Sequence, residues 1–217
     1  MNKSILWLIG LLFVASLSIV SCSESDGAED PYANWEERNQ RYIDSIAVVA
    51  EANQGNEVGQ WKIIRSYKLP PLGLNETGDV NDNVYCKILA EGNGTVSPLF
   101  TDSVDVHYRG QLIPLNNGTK VVFDQSYQGE LDLNTAASTG FKPGGVIAGW
   151  TTALQRMKAG DRWEIYIPYQ LAYGESGSNR GSVAIPGYST LIFDLYLAKV
   201  IPLRGTGKSL VETLNAE

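Results

Sequence analysis

From Val84 onward the chain is cut by turn residues into short apolar runs, and that punctuation limits it to an architecture of antiparallel strands. Five runs read as strands: Val84–Leu89, Ser103–Leu112, Lys120–Ser126, Arg162–Ile167 and Thr190–Val200. Turn signals such as Gly92-Asn93-Gly94 and Asn116-Asn117-Gly118 separate them. One stretch in this half, Trp150–Met157, reads as a helix, and Lys158-Ala159-Gly160-Asp161 gives it a basic last turn and a glycine stop. Several strands with one short helix predict an α+β domain, a twisted antiparallel sheet wrapped on that helix.

Upstream, residues 33–83 form an N-terminal extension of helix plus strand. Across Ala33 to Asn53, Trp35, Tyr42, Ile46 and Val49 fall seven, four and three apart, with Ile43 and Ala50 flanking them. Glu36, Glu37, Arg38 and Arg41 take the other face. This is an amphipathic helix, which either packs onto its own domain or forms a homodimer or client-gripping surface. Gln60 to Leu69 reads as a strand ended by Pro70-Pro71-Leu72-Gly73, and residues 74–83 read as a loop.

The first residues have a different character. Lys3 is followed by a nearly unbroken apolar run from Ile5 to Val20, and then by Ile19-Val20-Ser21-Cys22, which resembles the lipobox of bacterial lipoproteins. The run is shorter than the roughly 20 residues of a spanning helix. The resemblance implies a signal peptide over 1–21, a diacylglycerol on the Cys22 thiol and a tether over 22–32. The protein is then held at the bacterial cell envelope, on the periplasmic face or the surface of the outer membrane. An ordinary signal peptide with a chance cysteine, or an uncleaved anchor, is the alternative. Cys86 is the one cysteine left after Cys22, so the fold does not depend on an internal disulfide.

Charge and motif exclude several function classes. A formal net charge of −7 argues against a nucleic-acid partner, which needs a basic footprint. The single His107 and Cys86 cannot assemble a zinc site or a Cys-His pair unaided, and on a strand His107 points away from the side Tyr108 faces. Gly207-Lys208-Ser209 is no phosphate loop, because Pro202 stands where the first glycine is needed. No metal or cofactor is expected.

Five stretches, in order and at matching spacing, resemble the FK506-binding-protein (FKBP) type peptidyl-prolyl cis-trans isomerases. They are Val104-Asp105-Val106-His107-Tyr108-Arg109-Gly110, Phe123-Asp124-Gln125-Ser126, Val146-Ile147-Ala148-Gly149-Trp150, Ile167-Pro168-Tyr169-Gln170-Leu171-Ala172-Tyr173-Gly174, and Ile185-Pro186-Gly187-Tyr188-Ser189-Thr190-Leu191-Ile192-Phe193-Asp194. The resemblance covers about residues 84 to 200, so an isomerase domain is expected over 84–203, with a tail over 204–217.

What the resemblance implies is a proline pocket. Trp150 is its floor, and Tyr108, Phe123, Val146, Ile147, Tyr173 and Phe193 are its walls, with Ile185 beside the substrate. Asp124 and the Tyr173 hydroxyl lie near the substrate carbonyl, and Ile147 offers its backbone N–H. The implied partners are proline-containing polypeptides and FK506-like macrolides. The implied function is faster X–Pro rotation during folding of exported proteins, the alternative being a tethered chaperone or peptide-binding module with weak turnover. The chain departs from the family pattern at Thr139 in place of an aromatic, Gly187 in place of a second proline, Ala184 in place of a larger aliphatic, and a loop over 175–182 without the usual histidine.

Overall fold

The structure is a computed structural model that describes residues 30–203. Cys22, the apolar leader, most of the tether and the C-terminal tail with its Gly-Lys-Ser triplet lie outside the described residues. The described residues from Pro31 group as one compact unit.

The elements are α1 (Trp35–Ala52), β1 (Trp61–Arg65), β2 (Asn83–Ala90), β3 (Ser103–Leu112), β4 (Val122–Gln125), β5 (Thr139–Phe141), α2 (Ala148–Leu154), β6 (Arg162–Ile167) and β7 (Leu191–Ile201). They form one seven-stranded sheet in the order β1-β2-β6-β7-β3-β4, with β5 also on β3, and every pairing is antiparallel. This is the expected sheet wrapped on a short helix. Five of the strands lie within one or two residues of their sequence positions; β1 ends at Arg65, short of the proline pair, and the three-residue β5 was not expected. Helix α2 begins two residues earlier than expected and ends at Leu154, and Arg156 and Met157 close the turn onto Ala153.

Strand alternation sends side chains to two apolar layers. On β2, Val84, Cys86 and Ile88 face the main core with Trp150, Ala153 and Leu154 of α2, while Tyr85 faces the other way. On β6, Trp163, Ile165 and Ile167 join the main core and Tyr166 the second layer. That layer holds Trp61, Tyr85 and Tyr166 against Ile43, Ala47 and Ala50 of α1. The helix therefore packs on its own sheet. Burial in the main core pushes the Cys86 thiol pKa up.

The buried stripe of α1 is Trp35, Asn39, Ile43, Ala47 and Ala50, with Tyr42 and Ile46 half-buried and Val49 51% exposed. The hydrophobic pattern placed Val49 inside and missed Asn39. A buried asparagine is invisible to a pattern that counts apolar residues, and here its polar atoms are all used (Nδ2 donates to the Trp35 carbonyl at 2.7 Å). The segment read as a loop over 74–83 contains a 3-10 turn, Val80–Asp82, capped reciprocally by Asp79 and Asp82.

Candidate active site

The inner face of β3 opens the site. Val104, Val106, Tyr108, Gly110 and Leu112 all point inward by strand alternation. Gly110 pairs with Asp124 of β4 on one side and Phe193 of β7 on the other. A Cβ on Gly110 would sit 2.6 Å from atoms of both the Phe123 and Phe193 rings. The missing side chain is what lets those rings meet edge to face, at 5.4 Å between centroids.

Trp150, on the first turn of α2 and 4% exposed, lies at the centre of an aromatic box. Its ring meets Tyr108 at 5.2 Å, Phe141 at 5.5 Å and Phe193 at 5.1 Å, each nearly perpendicular. The turn that feeds α2 is held by the Thr151 hydroxyl, which donates to the Pro143 carbonyl at 2.7 Å. That contact fixes Gly145, Val146 and Ile147 on the approach to the helix. The Ile147 N–H has no acceptor among the described residues. The buried Trp150 Nε1–H has none either.

Above the floor is a cavity of about 410 Å³ lined by Tyr108, Phe123, Asp124, Phe141, Gly145, Val146, Ile147, Trp150, Tyr173, Arg180 and Phe193. It gathers the expected floor and walls. Ile185 is not in the lining. Its side chain is buried in the main core, and its backbone is tied to Ser178 in an isolated antiparallel bridge. Phe141, Gly145 and Arg180 were not among the expected pocket residues. The strand carrying Phe141 has three residues, too few to show a period, and Arg180 stands in a polar loop that no motif marks.

The polar groups are few and ordered. The Tyr108 hydroxyl donates to Asp124 Oδ2 at 2.9 Å. Burial, then that hydrogen bond and the carboxylate charge, push the Tyr108 phenol pKa up. Tyr173, 40% exposed at the rim, is pushed up by burial and Asp124 and pulled back by Arg180. Both phenols stay protonated donors at neutral pH.

His107 lies on the opposite face of β3, as its position beside Tyr108 requires, and is buried against Tyr196 at 5.9 Å. Burial lowers its pKa, against a smaller raising influence of the Ala137 backbone. The Gly187 departure also has a local cause. A Cβ there would sit 1.9 Å from the Glu175 carbonyl oxygen, so the turn after Tyr173 packs on bare backbone.

Comparison with known proteins agrees with this geometry. Residues 94–198 match the family model for the FKBP-type peptidyl-prolyl cis-trans isomerase. The macrophage infectivity potentiator of Trypanosoma cruzi is 34% identical over 199 residues, covering 92% of this chain and 83% of that protein. The FKBP-type 22 kDa peptidyl-prolyl cis-trans isomerase of Escherichia coli is 38% identical over 129 residues, covering 59% of this chain and 54% of that one. The chain thus spans most of the first relative and about half of the second. The crystal structure of FkpA from Escherichia coli superposes with a TM-score of 0.52 at 28% identity, covering 93% of this chain and 74% of that one. The chain belongs to the FKBP-type peptidyl-prolyl cis-trans isomerases.

Proposed function

We propose that the protein accelerates X–Pro rotation during the folding of exported proteins, held at the bacterial cell envelope by a lipid on Cys22. The observation that carries the reading is the aromatic box on the buried Trp150, open above, with two phenols and the Ile147 backbone N–H at its edge.

The uncatalysed rotation crosses a barrier of about 18–20 kcal/mol and takes tens of seconds or more. The planar amide owes that barrier to resonance that places charge on its oxygen. With the proline ring on Trp150, the walls Phe123, Phe141, Val146 and Phe193 replace water around the bond and disfavour that charge separation. The Ile147 N–H holds a substrate carbonyl. The Tyr173 phenol donates at the rim, and Asp124 keeps Tyr108 oriented. A site that fits the twisted amide better than the planar one lowers the barrier without a nucleophile, and a thousandfold effect requires only about 4 kcal/mol. FK506-like macrolides would occupy the same cavity and compete with substrate.

The test is refolding of an exported protein whose slow phase is proline-limited. The purified protein should speed that phase, and an unchanged slow phase would contradict the reading. The anchor is tested separately by fatty-acid labelling in cells, which Cys22→Ala should abolish. A dimer through residues 33–83 would draw on the apolar residues exposed there, Val48 and Val49 of α1 with Val58, Leu72 and Leu74 beyond it. Light scattering at rising concentration tests it.

A further inference from the structure

We propose that Arg180 makes the cavity select prolines whose neighbour in the client chain is acidic; this rests on the isomerase reading of the same cavity. Asp124 and Arg180 are the two charged residues in a lining that is otherwise aromatic, aliphatic or glycine. They are not equivalent. Asp124 is engaged by the Tyr108 hydroxyl at 2.9 Å. Arg65 and Arg162 each hold a carboxylate, at 2.7 and 2.5 Å, whereas the Arg180 guanidinium makes no ion pair among the described residues. It is a cation on the wall of a binding cavity, with no carboxylate paired to it among the described residues.

The loop that carries it is fixed against the site. Ser178 and Ile185 exchange two backbone hydrogen bonds, at 2.9 and 2.8 Å, and close the loop between them. Beyond Arg180 the chain runs alongside β4, where a Cβ on Gly181 would sit 3.7 Å from the Phe123 carbonyl oxygen. Arg180, itself exposed, is thereby carried on a loop beside the strand that bears Asp124. Its charge is felt inside the cavity, since it draws the Tyr173 phenol down against burial and Asp124. With a net charge of −7, the protein as a whole repels acidic clients. A preference for them must then come from a local cation, and Arg180 is the one in the lining.

The ligand chemistry is a carboxylate on the residue just before or just after the proline. The test uses peptides Xaa-Pro-Phe with Glu, Leu or Lys before the proline, and Leu-Pro-Yaa with the same three after it. Both kcat/KM, by exchange spectroscopy, and Kd, by calorimetry, are measured for wild type, Arg180→Ala and Arg180→Glu. The quantity read is the Glu-to-Lys ratio, which cancels any general loss in the variants. At one of the two positions the wild type should favour Glu by about fivefold, the upper range of an exposed ion pair. The ratio should approach one in Arg180→Ala, reverse in Arg180→Glu and shrink with added salt. A ratio that is the same in wild type and Arg180→Glu at both positions overturns the proposal. Binding without catalysis would overturn the isomerase reading and leave the preference readable in Kd. Binding of none of the peptides would overturn both.

Discussion

The side-chain carbonyl of Asn39, in the second turn of α1, accepts a 2.8 Å hydrogen bond from the backbone N–H of Thr190, the residue before β7. Both residues are buried. On the preceding turn of the helix, the Trp35 indole N–H donates to Ser189 Oγ at 2.9 Å, and Ser189 donates in turn to the Pro186 carbonyl at 2.7 Å. The helix upstream of the isomerase motifs therefore supplies the polar partners for the segment that runs into Phe193. It is a structural part of the domain that holds the site.

Asn39→Ala leaves the buried Thr190 N–H without a partner, at a cost of about 2 kcal/mol. For a domain of this size that lowers Tm by about 4–8 °C. Thermal denaturation of wild type and variant checks it, and an unchanged Tm would mean that the Asn39–Thr190 bond does not help hold α1 to the sheet.

Gly110→Val drives a side chain into the Phe123–Phe193 contact, where even a Cβ meets ring atoms at 2.6 Å. Overpacking of this kind costs about 1–3 kcal/mol. The displaced rings narrow the cavity, so kcat/KM on an X–Pro peptide should fall by more than tenfold while the circular dichroism of the sheet is kept.

Lowering of the His107 pKa below its ordinary 6.5 means that the unfolded chain binds the proton more readily than the folded one. The stability contributed by neutral His107 is whole above about pH 6.5 and declines as the pH falls through that value toward the lower folded one. Urea unfolding at pH 7.5 and pH 5.5 should show wild type losing more stability than His107→Gln across that interval. Equal losses would remove His107 from the pH response.

Catalysis should be level between pH 6.5 and 9. The Tyr108 and Tyr173 phenols are both raised above the ordinary tyrosine value and keep their protons through this range. A rate profile with a step near neutrality would show that a titrating group takes part.

Much of the site was legible because five motifs keep their spacing across the fold, so that Tyr108, Phe123, Trp150 and Phe193 could be placed on facing elements. The helix and strand periods carried the sheet for the same reason. What stayed hidden depended on contacts between distant residues. Asn39 is buried only because Thr190 lies opposite it. Phe141 counts only once β5 pairs with β3 and brings it to Trp150. Ile185 belongs to a matching motif, yet the bridge to Ser178 and its burial in the core keep it out of the cavity wall. Arg180 acquires meaning only from the loop that folds back on Phe123.

The most direct measurement is the rate of cis–trans exchange in a short Leu-Pro peptide with wild type and with Trp150→Ala. Wild type should accelerate exchange by at least a thousandfold per bound peptide, and Trp150→Ala, which removes the floor that Tyr108, Phe141 and Phe193 surround, should lose at least tenfold in kcat/KM. A folded Trp150→Ala protein with wild-type kcat/KM would contradict the assignment of this cavity as the catalytic site.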